Sequence, residues 1–387
     1  MSEPADIPLA RPSVGEREEE LVLEVLRSGR LSLGPMLERF EREFAAYLGV
    51  ADAVAVSSGT AGLHLGVRAL GWGEGDEVIT SPFSFVASAN CLLCEGAVPV
   101  FCDVDPVTLN LDPERAAEAV GERTAGILPV DILGYPAALA ELERIAAEHG
   151  LGLLEDACEA IGARDADGTA VGARGITAVF AFYANKQLTT GEGGMVIPAD
   201  AGAAARLRSE RNQGRAADMG WVAHERIGFN YRLTDLQAAL GVAQLERLGE
   251  LLEARAAAAT LYAEHLRALG GAPAGEGAPA GLVLPCADRG EEQRSWFVYA
   301  VRLPAGAERD AVVADLAQRG VQAKAYMPCI HLLEPYRELF GHEPGMLPVA
   351  EDASDRLLAL PFFPGISSEQ VERVCEALAE ALQGDWA

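Results

Sequence analysis

Lys186 is the residue in this chain whose type and place point most directly to chemistry. The 387 residues include 31 lysines and arginines, of which only Lys186 and Lys324 are lysines. Lys186 lies in the stretch FYANKQLTTGEGG, just before a glycine-rich turn. A primary amine can add to an aldehyde and form an imine, whereas a guanidinium that keeps its proton cannot. The alternative is a lysine retained by chance on a surface loop. The other residues of the chain are needed to distinguish these two possibilities.

Two of the three acidic residues in LGLLEDACEAIGA, N-terminal to the lysine, are candidates for this site. Asp156 falls at the predicted carboxyl end of a buried strand, and ligands of open α/β sheets bind at that edge. If Lys186 carried pyridoxal phosphate, a carboxylate beside the ring nitrogen would keep that nitrogen protonated, and Asp156 could supply it. Glu159 could contact the ring hydroxyl. A cap at the start of a helix is the alternative for Asp156.

A possible phosphate cradle lies in SSGTAGLHL, which follows a predicted strand and opens a predicted helix. The backbone N–H groups near Gly59, Thr60 and Ala61 can point at an anion there, although many strand-to-helix turns contain these residue types. Phe83 and Phe85, in SPFSFVASAN, follow the next predicted strand. One of them could stack on the ring, and an ordinary core position is the alternative for the other.

The elements that must position these residues alternate between strands and helices from about residue 50 to residue 200. The apolar runs DAVAVSS, DEVITS, VPVFCDV, AGILPVDIL, LGLLEDA, TAVFAFYA and GGMVIPA predict strands. Their alternation with helical patterns predicts an α/β fold with a mostly parallel sheet covered by helices. Thr234 is the predicted N-cap of a long helix that bends near Gly249.

Beyond that helix, GGAPAGEGAPAG predicts a solvent-exposed loop. The runs SWFVYAVRL and VQAKAYMP then predict strands, and AERDAVVADLAQRG and SSEQVERVCEALAEAL predict helices. We therefore expect a large domain over residues 1–248, with an N-terminal helix and loop, and a small α/β domain over residues 249–387.

The amino-acid composition limits the kinds of partner that this protein can bind. A formal net charge of −27 argues against nucleic acid or an anionic membrane surface. No apolar run approaches the length of a membrane span, and MSEPADIPLARP lacks the apolar segment of a signal peptide. The seven cysteines are scattered, and the pair in CLLC has no second pair or histidine at zinc spacing. These features predict a cytoplasmic protein with reduced thiols and no metal site.

Taken together and in order, the motifs resemble those of the DegT-like (DegT/StrS) nucleotide-sugar aminotransferases, which are fold-type I enzymes that depend on pyridoxal phosphate. The shared motifs are EDACEA, FYANKQLTTGEGG, GFNYRLTDLQAALGVAQL, SWFVYAVRL, YMPCIHLLEPYR and LPVAEDASDRLLALPFFPG. The resemblance covers nearly the whole chain. It implies an aspartate aminotransferase-like fold, with a mostly parallel mixed sheet in a large domain and a smaller C-terminal α/β domain.

The resemblance also implies a role for each residue. Lys186 matches the Schiff-base lysine, and Asp156 matches the partner of the pyridinium nitrogen. Glu159 matches a residue beside the ring oxygen, and Phe85 matches the aromatic that stacks on the ring. Asn230 matches an asparagine that reaches the cofactor phosphate from the neighbouring subunit, so the active site would be shared across a homodimer.

The substrate contacts are less specified. Arg232 lies near Asn230 in sequence and is expected to meet the substrate. His331 is a candidate sugar contact, with a core histidine as the alternative. Arg226, Lys324 and Arg337 are further candidates for holding a diphosphate, and a solvated surface position is the alternative for each. The full lists of candidates are therefore: catalytic, Lys186 and Asp156; cofactor-binding, Gly59, Thr60, Ala61, Phe85, Asp156, Glu159, Lys186 and Asn230; substrate-binding, Arg232 and His331.

Two positions depart from the family pattern. Ala181 stands where a serine often contacts the phosphate, and Asp131 stands where histidine is frequent. We expect neither to abolish activity. One branch of the family has histidine in place of the lysine and dehydrates sugars, and Lys186 argues against that branch.

The resemblance thus predicts amino transfer from L-glutamate to a keto sugar linked to a nucleotide diphosphate, by way of pyridoxamine phosphate. Two other hypotheses stay open. One is a different reaction on the same cofactor, such as dehydration or elimination, because a fold does not fix a function. The other is a non-catalytic regulator that binds the cofactor or a sugar nucleotide. The identity of the nucleotide and of the sugar depends on pocket details that motifs do not specify.

Overall fold

The computed structural model describes residues 6–216, 223–276 and 281–383. The strands of the larger sheet are β1 Val54–Val56, β2 Glu77–Thr80, β3 Val98–Phe101, β4 Thr124–Leu128, β5 Gly152–Asp156, β6 Thr177–Ala181 and β7 Gly194–Ile197. They are ordered β1-β7-β6-β5-β4-β2-β3. Within the described ranges, β7 alone runs opposite to the other six strands of this sheet, so the predicted mostly parallel mixed sheet is confirmed.

Helices cover both faces of this sheet. They are α1 Glu16–Ser28, α2 Pro35–Leu48, α3 Gly59–Leu70, α4 Ala87–Leu93, α5 Pro113–Glu118, α6 Leu139–His149, α7 Ala201–Arg211 and α8 Asp235–Glu246, with a 3-10 turn at Ile132–Gly134. Successive strand residues point to opposite faces. Val179 therefore packs in one core cluster, while Ala178 and Phe180 pack in another. The strands read as continuous apolar runs because both faces are buried.

A second, smaller α/β unit follows. Its strands are β8 Ala272–Pro273, β9 Val283–Leu284, β10 Tyr299–Arg302, β11 Lys324–Ala325 and β12 Leu357–Leu360, and its helices are α9 Leu248–Ala268, α10 Arg309–Gln318, α11 Glu334–Phe340, α12 Pro348–Arg356 and α13 Ser368–Gln383. The strand order is β11-β12-β10-β9-β8, and a 3-10 turn lies at Ile330–Leu332. The structure thus confirms a second, smaller α/β unit.

The stretch GGAPAGEGAPAG is not wholly an exposed loop, so that prediction is wrong for its first residues. Ala272 and Pro273 pair with β9, and Ala274 is buried against Tyr135 and Cys286. Pairing with β9 and contact with this small apolar cluster outweigh the loop-like composition of the stretch. Residues 277–280 of the stretch lie outside the described residues.

The two units are joined at both ends of the large one. The bend in the long helix falls at Arg247, between α8 and α9, two residues before the predicted position. At the N-terminus, the Ile7 N–H donates to the Gly320 carbonyl at 2.8 Å, and the Gln322 N–H donates to the Ile7 carbonyl at 3.0 Å. Ile7 is buried in the core of the small unit. The boundary at residue 248 stays a prediction.

The carboxyl ends of four strands meet at one edge of the large sheet. β1 and β6 are both antiparallel to β7, so they run in the same direction, and β5, β4 and β2 run parallel to β6. The turns that follow β1, β2, β5 and β6 therefore converge, and they carry the residues that the sequence singles out. Among the described residues, no helix combines the length and the apolar character needed to cross a bilayer.

Asp235 joins two helices of the large unit. Thr234 caps α8 in a capping box with Gln237, as predicted. The next residue, Asp235, is buried and caps α2 instead: its Oδ1 accepts the N–H groups of Gly34 at 3.0 Å and Leu37 at 3.1 Å. One carboxylate thus satisfies the first turn of α2 and orients α2 on α8.

We predict that Asp235→Ala lowers the free energy of unfolding by about 3 kcal/mol, because several buried N–H groups lose their acceptor at once. Asp200→Ala is the matched control, since Asp200 caps α7 in an exposed setting; we expect a loss of about 1 kcal/mol there. Urea unfolding followed by circular dichroism measures both. Equal losses for the two variants would contradict the role of Asp235.

Candidate active site at the carboxyl edge of the large sheet

The Lys186 amine lies where the two units meet, in contact with residues of both. The lysine follows β6 in a turn, and its side chain is only 12% exposed. Nζ lies 3.3 Å from Glu159 Oε1 and 3.9 Å from the centre of the Phe297 ring. Phe297 belongs to the small unit, just before β10. The lysine is thus a sheltered amine with a carboxylate beside it and an aromatic face against it.

Asp156 ends β5 and is 4% exposed. Ser88 Oγ donates to its Oδ2 at 2.7 Å, and the Cys158 N–H donates to its Oδ1 at 3.2 Å. Burial raises the pKa of Asp156, and the hydrogen bonds from Cys158 and Ser88, together with the charge of Lys186, oppose that rise. Within the described residues this carboxylate has no salt bridge. No regular helix follows it directly, so the alternative of a helix cap does not account for it.

Glu159 is held by donors from three parts of the chain. Its Oε1 accepts from Lys186 and from the Tyr326 hydroxyl, which is 3.2 Å away, and its Oε2 accepts from the Leu133 N–H at 2.9 Å. Burial and the charge of Glu159 raise the pKa of Tyr326 well above its ordinary range, so the phenol remains a donor. The glutamate is therefore fixed in place, with one oxygen directed to the lysine amine.

The turn that supplies the Leu133 N–H is itself pinned. Leu133 has a φ of 58°, a conformation that L side chains rarely adopt. Buried Asn110 holds the turn on both sides: its Oδ1 accepts from the Ile132 N–H at 3.0 Å, and its Nδ2 donates to the Tyr135 carbonyl at 3.0 Å. Backbone strain of this kind persists where surrounding contacts over-determine it. Here it directs an N–H to Glu159.

The start of α3 leaves the N–H groups of its first two residues available to an anion. Ser58 caps the helix, and its Oγ accepts from the Ala61 N–H at 3.1 Å. In the described part of the chain, no acceptor meets the N–H groups of Gly59 and Thr60. A Cβ at position 59 would lie 2.6 Å from the Ala181 Cβ, so glycine allows the helix to begin against the end of β6. Of the three predicted amide donors, Ala61 is engaged by Ser58.

The two phenylalanines after β2 have different environments. Phe83 is fully buried in the core, whereas Phe85 is 62% exposed. An exposed aromatic face at the ligand edge suits stacking on a flat ring. Phe83 therefore takes the core role that the sequence left open, and stacking by Phe85 stays a prediction.

The segment that carries Asn230 and Arg232 runs beside the end of β1. The Ser57 N–H donates to the Tyr231 carbonyl at 2.8 Å. The Asn230 side chain is exposed, and Arg232 Nη1 donates to Asn212 Oδ1 at 3.0 Å. No contact in the described residues joins Asn230 or Arg232 to Lys186 of the same chain. Their service to a neighbouring subunit stays a prediction.

His331 is the candidate that the structure does not bring to the site. Its side chain is 0% exposed, with Nε2 3.2 Å from Glu351 Oε1 and with the ring against Phe101. The core alternative therefore accounts for His331, because a ring without exposed surface cannot touch a ligand in this conformation. Arg226, Lys324 and Arg337 are exposed, as the solvated alternative requires.

Three residues that touch the site were not indicated by the sequence. Phe297 and Tyr326 come from the small unit, and Ser88 lies in the first turn of α4. In sequence, SWFVYAVRL and AYMP are typical of strands, and a serine in SANCLL is typical of a helix start. Only their packing against Lys186, Glu159 or Asp156 reveals them.

These residues fit the cofactor that the resemblance implies. Pyridoxal phosphate needs an amine, a carboxylate for its ring nitrogen, an aromatic neighbour and donors for its phosphate. Lys186 and Asp156 supply the first two, and Phe85 offers an exposed ring. Two amide donors at Gly59 and Thr60 are open for the phosphate. A cationic ring nitrogen would also offset the cost of burying Asp156.

A buried pair of carboxyl groups lies behind the site. Asp131 and Glu155 are both fully buried. Each has one oxygen that accepts a backbone N–H, from Ala137 at 2.7 Å and Gly172 at 3.1 Å respectively. Among the described residues, neither of the other two oxygens, Oδ2 and Oε1, has a hydrogen-bond partner. Because ionised carboxylates are costly to bury without partners, at least one of the two groups keeps a proton.

Burial and neighbouring charges, Asp156 among them, raise the pKa of Asp131 from 3.8 to about 7. The pKa of Glu155 rises well above its usual range, through burial and then the charge of Asp131. Both shifts favour the neutral form, so the pair keeps a proton at a pH at which an exposed carboxyl group has lost it.

This pair predicts a pH dependence of stability. Between about pH 4 and pH 7 the folded Asp131 holds a proton that the unfolded chain has released, so stability falls as pH rises through this window. Asp131→Asn removes the titrating group but keeps an acceptor for Ala137 and adds a donor for Glu155. We expect the loss of unfolding free energy between pH 5 and pH 7 to be smaller in the variant by about 1–2 kcal/mol. Parallel wild-type and variant curves in urea unfolding would refute the pair.

We also predict that Ser88→Ala weakens pyridoxal phosphate binding about tenfold, because Asp156 loses one charge-assisted hydrogen bond. Ser84→Ala is the control. Ser84 is equally buried and bonds to Ser88 at 2.7 Å, but it does not touch Asp156; its effect should stay within about threefold. Titration of cofactor-free protein, followed by visible absorbance, gives both affinities. Equal affinities for the two variants would be the contrary result.

Comparison with known proteins agrees with this geometry. A sequence model of the DegT/DnrJ/EryC1/StrS aminotransferase family matches residues 12–379. GDP-perosamine synthase of Caulobacter vibrioides is 36% identical, covering 99% of this chain and 100% of its own. The crystal structure of the aminotransferase TlmJ from Streptoalloteichus hindustanus matches with a TM-score of 0.88 at 36% identity, over 97% of this chain and 99% of that one.

A third relative is DesI, whose structure was determined in the presence of its TDP-sugar product. It matches with a TM-score of 0.87 at 33% identity, over 98% of this chain and 94% of that one. The resemblance read from the motifs is confirmed, and with it fold type I and dependence on pyridoxal phosphate. This chain belongs to the DegT/DnrJ/EryC1/StrS aminotransferase family.

Proposed function

We propose that this enzyme transfers an amino group from L-glutamate to a keto sugar carried on a nucleoside diphosphate, with Lys186 as the cofactor lysine. The observation that carries the proposal is the sheltered Lys186 amine, held by Glu159 at the sheet edge that also holds buried Asp156. The substrate class is supported by two relatives, a GDP-perosamine synthase and DesI with its TDP-sugar product.

Each residue of the crevice has a part in holding the cofactor. When bound, pyridoxal phosphate supplies an aldehyde that condenses with amines and a cationic ring that withdraws electrons. Asp156 would accept the ring N–H, and Glu159 would lie beside the ring hydroxyl. The amides of Gly59 and Thr60 would donate to the phosphate, and the Phe85 ring would cover one face.

Lys186 is the proton carrier of the proposed reaction. Its Nζ takes a proton from the α-carbon of the amino donor and later returns one, acting as base and then as acid. Glu159 Oε1 and the Phe297 ring hold the amine from two sides. Their contacts keep Nζ directed into the crevice, and the small unit keeps water away from it.

We also propose a homodimer with shared active sites. The exposed Asn230 would reach the phosphate of the partner's cofactor, and Arg232 would meet the substrate. The positive charge of Arg232 supports its part in this arrangement, because an acidic protein needs a local cation to hold an anionic diphosphate. Unpaired cysteines suit a reducing compartment, so we place the enzyme in the cytoplasm.

The two lysines of the chain give a matched test. Lys186→Arg should lose at least about a thousandfold in amino transfer, because a guanidinium cannot replace the amine. Lys324→Arg, at an exposed position in β11, should keep wild-type activity. The assay incubates enzyme, pyridoxal phosphate and L-glutamate with GDP-, UDP- and dTDP-linked keto sugars and detects the amino sugar by mass spectrometry.

Borohydride reduction then locates the cofactor. It should add the cofactor mass to the peptide that contains Lys186 in the wild type and in Lys324→Arg, but not in Lys186→Arg. A Lys186→Arg enzyme that still aminates a sugar would overturn the proposal. A dehydrated sugar without amine transfer would identify the other reaction on the same cofactor.

A further inference from the structure

Arg255 is a buried cation that donates a hydrogen bond to the backbone carbonyl of Lys186. It lies in the middle of α9 and is 3% exposed. Its Nη2 donates to the carbonyls of Asn185 and Lys186, each at 3.2 Å. Its Nη1 donates to the carbonyls of Phe297 at 3.0 Å and Trp296 at 3.4 Å. One guanidinium therefore spans the lysine turn of the large unit and the segment that leads into β10 of the small unit.

The charge of Arg255 is not neutralised. In the residues that the structure describes, its hydrogen bonds go only to carbonyl oxygens, and Nε has no partner. Burial alone lowers the pKa of Arg255 to about 10. An apolar residue in its place would leave these buried carbonyls without their donor. The position therefore requires several donors on one rigid group.

All four carbonyls belong to the two chain segments that surround Lys186 Nζ. Two belong to the backbone that carries the Lys186 side chain. A third belongs to Phe297, whose ring lies 3.9 Å from Lys186 Nζ. The lysine is not part of a strand, because β6 ends at Ala181 and β7 begins at Gly194. The hydrogen bonds of the sheet therefore do not fix its backbone. Instead, the Lys186 N–H donates to the Tyr183 carbonyl at 3.0 Å within the turn, and the Lys186 carbonyl accepts from Arg255.

We propose that Arg255 is the positioning residue for Lys186: it locks the lysine backbone and the Phe297 ring in one geometry, and so sets how far Nζ reaches into the crevice. This inference rests on the proposed role of Lys186. A planar fork with donors at fixed angles suits the task, since it can bind two pairs of carbonyls at once. Arg255 is 3% exposed, so it has almost no free surface with which to bind a substrate.

The variants separate charge from geometry. Arg255→Lys keeps a cation but has a single nitrogen, which cannot reach two pairs of carbonyls. Arg255→Gln removes the charge and keeps one amide. Arg267→Lys and Arg267→Gln are the controls, because Arg267 lies on the same helix but is exposed. All variants are compared below their unfolding temperatures, with the folded fraction measured by circular dichroism.

The first readout needs no turnover. Cofactor-free protein is mixed with pyridoxal phosphate and quenched with borohydride over time, and the modified Lys186 peptide is counted by mass spectrometry. The second readout is the spectral change of loaded enzyme on mixing with L-glutamate, over a range of glutamate concentrations. It gives the rate constant at saturation and the half-saturating concentration separately.

A displaced lysine should slow chemistry without loosening binding. Misplacement by about 1 Å can cost a factor of about 100 in rate. We expect Arg255→Gln to lower both the capture rate and the saturating rate by about 10- to 100-fold, with half-saturation within about threefold of wild type. Arg255→Lys should lie between Arg255→Gln and the wild type, and both Arg267 variants should match the wild type.

The contrary results are distinct. Folded Arg255→Gln with both rates within twofold of wild type would overturn the inference, as would a rise in half-saturation alone. If Arg255→Gln does not fold, Arg255→Lys decides by itself, with a loss of threefold or more in capture rate as the threshold. A wild-type protein in which Lys186 is never captured would instead overturn the proposed function.

Discussion

The ion pair between Lys186 and Glu159 depends on the direction of the strands that precede these residues. β5 and β6 are parallel neighbours, so Asp156 at the end of one and the lysine turn after the other must emerge at the same edge. A parallel sheet brings such ends together whatever the loop sequences are. The loops then need only small adjustments, such as the pinned turn at Leu133, to bring each polar atom to its partner.

Charge is the second constraint. The crevice contains more buried acid than base, with Asp156 and Glu159 at its floor and the Asp131–Glu155 pair behind them. An isolated carboxylate is costly to bury, and each of these is compensated differently: Asp156 by Ser88 and Cys158, Glu159 by the lysine amine, and the pair by a retained proton. The carboxylates would attract the cationic ring of the cofactor. They would repel its phosphate, which would therefore need the neutral amide donors of α3.

The sequence predicts the large sheet well because its strands are buried on both faces and appear as uninterrupted apolar runs. It predicts Lys186 and Asp156 as site residues because their types are chemically specific. It misses Phe297 and Tyr326, since an aromatic residue in a strand-like run has the same appearance in a core and in an active site. Ala272 and Pro273 form a strand although their surroundings have the composition of a loop, because contact with β9 outweighs local propensity. His331 shows the converse error: a polar residue beside apolar ones suggested a site, and packing made it a core residue.

The chain uses arginine at most cationic positions, and a comparison of Lys186 with Arg255 shows what each residue type provides. Both cations lie between the same two units, and their side chains are joined through the backbone of Lys186. The role proposed for position 186 requires a nitrogen that can lose a proton and form a bond to carbon, which a guanidinium cannot do. Position 255 requires several donors in a rigid plane and a charge that persists in a dry environment, which an ammonium provides poorly. Exchanging the two residue types would preserve the net charge and remove both functions, so it is chemistry at 186 and geometry at 255, rather than charge, that distinguishes them.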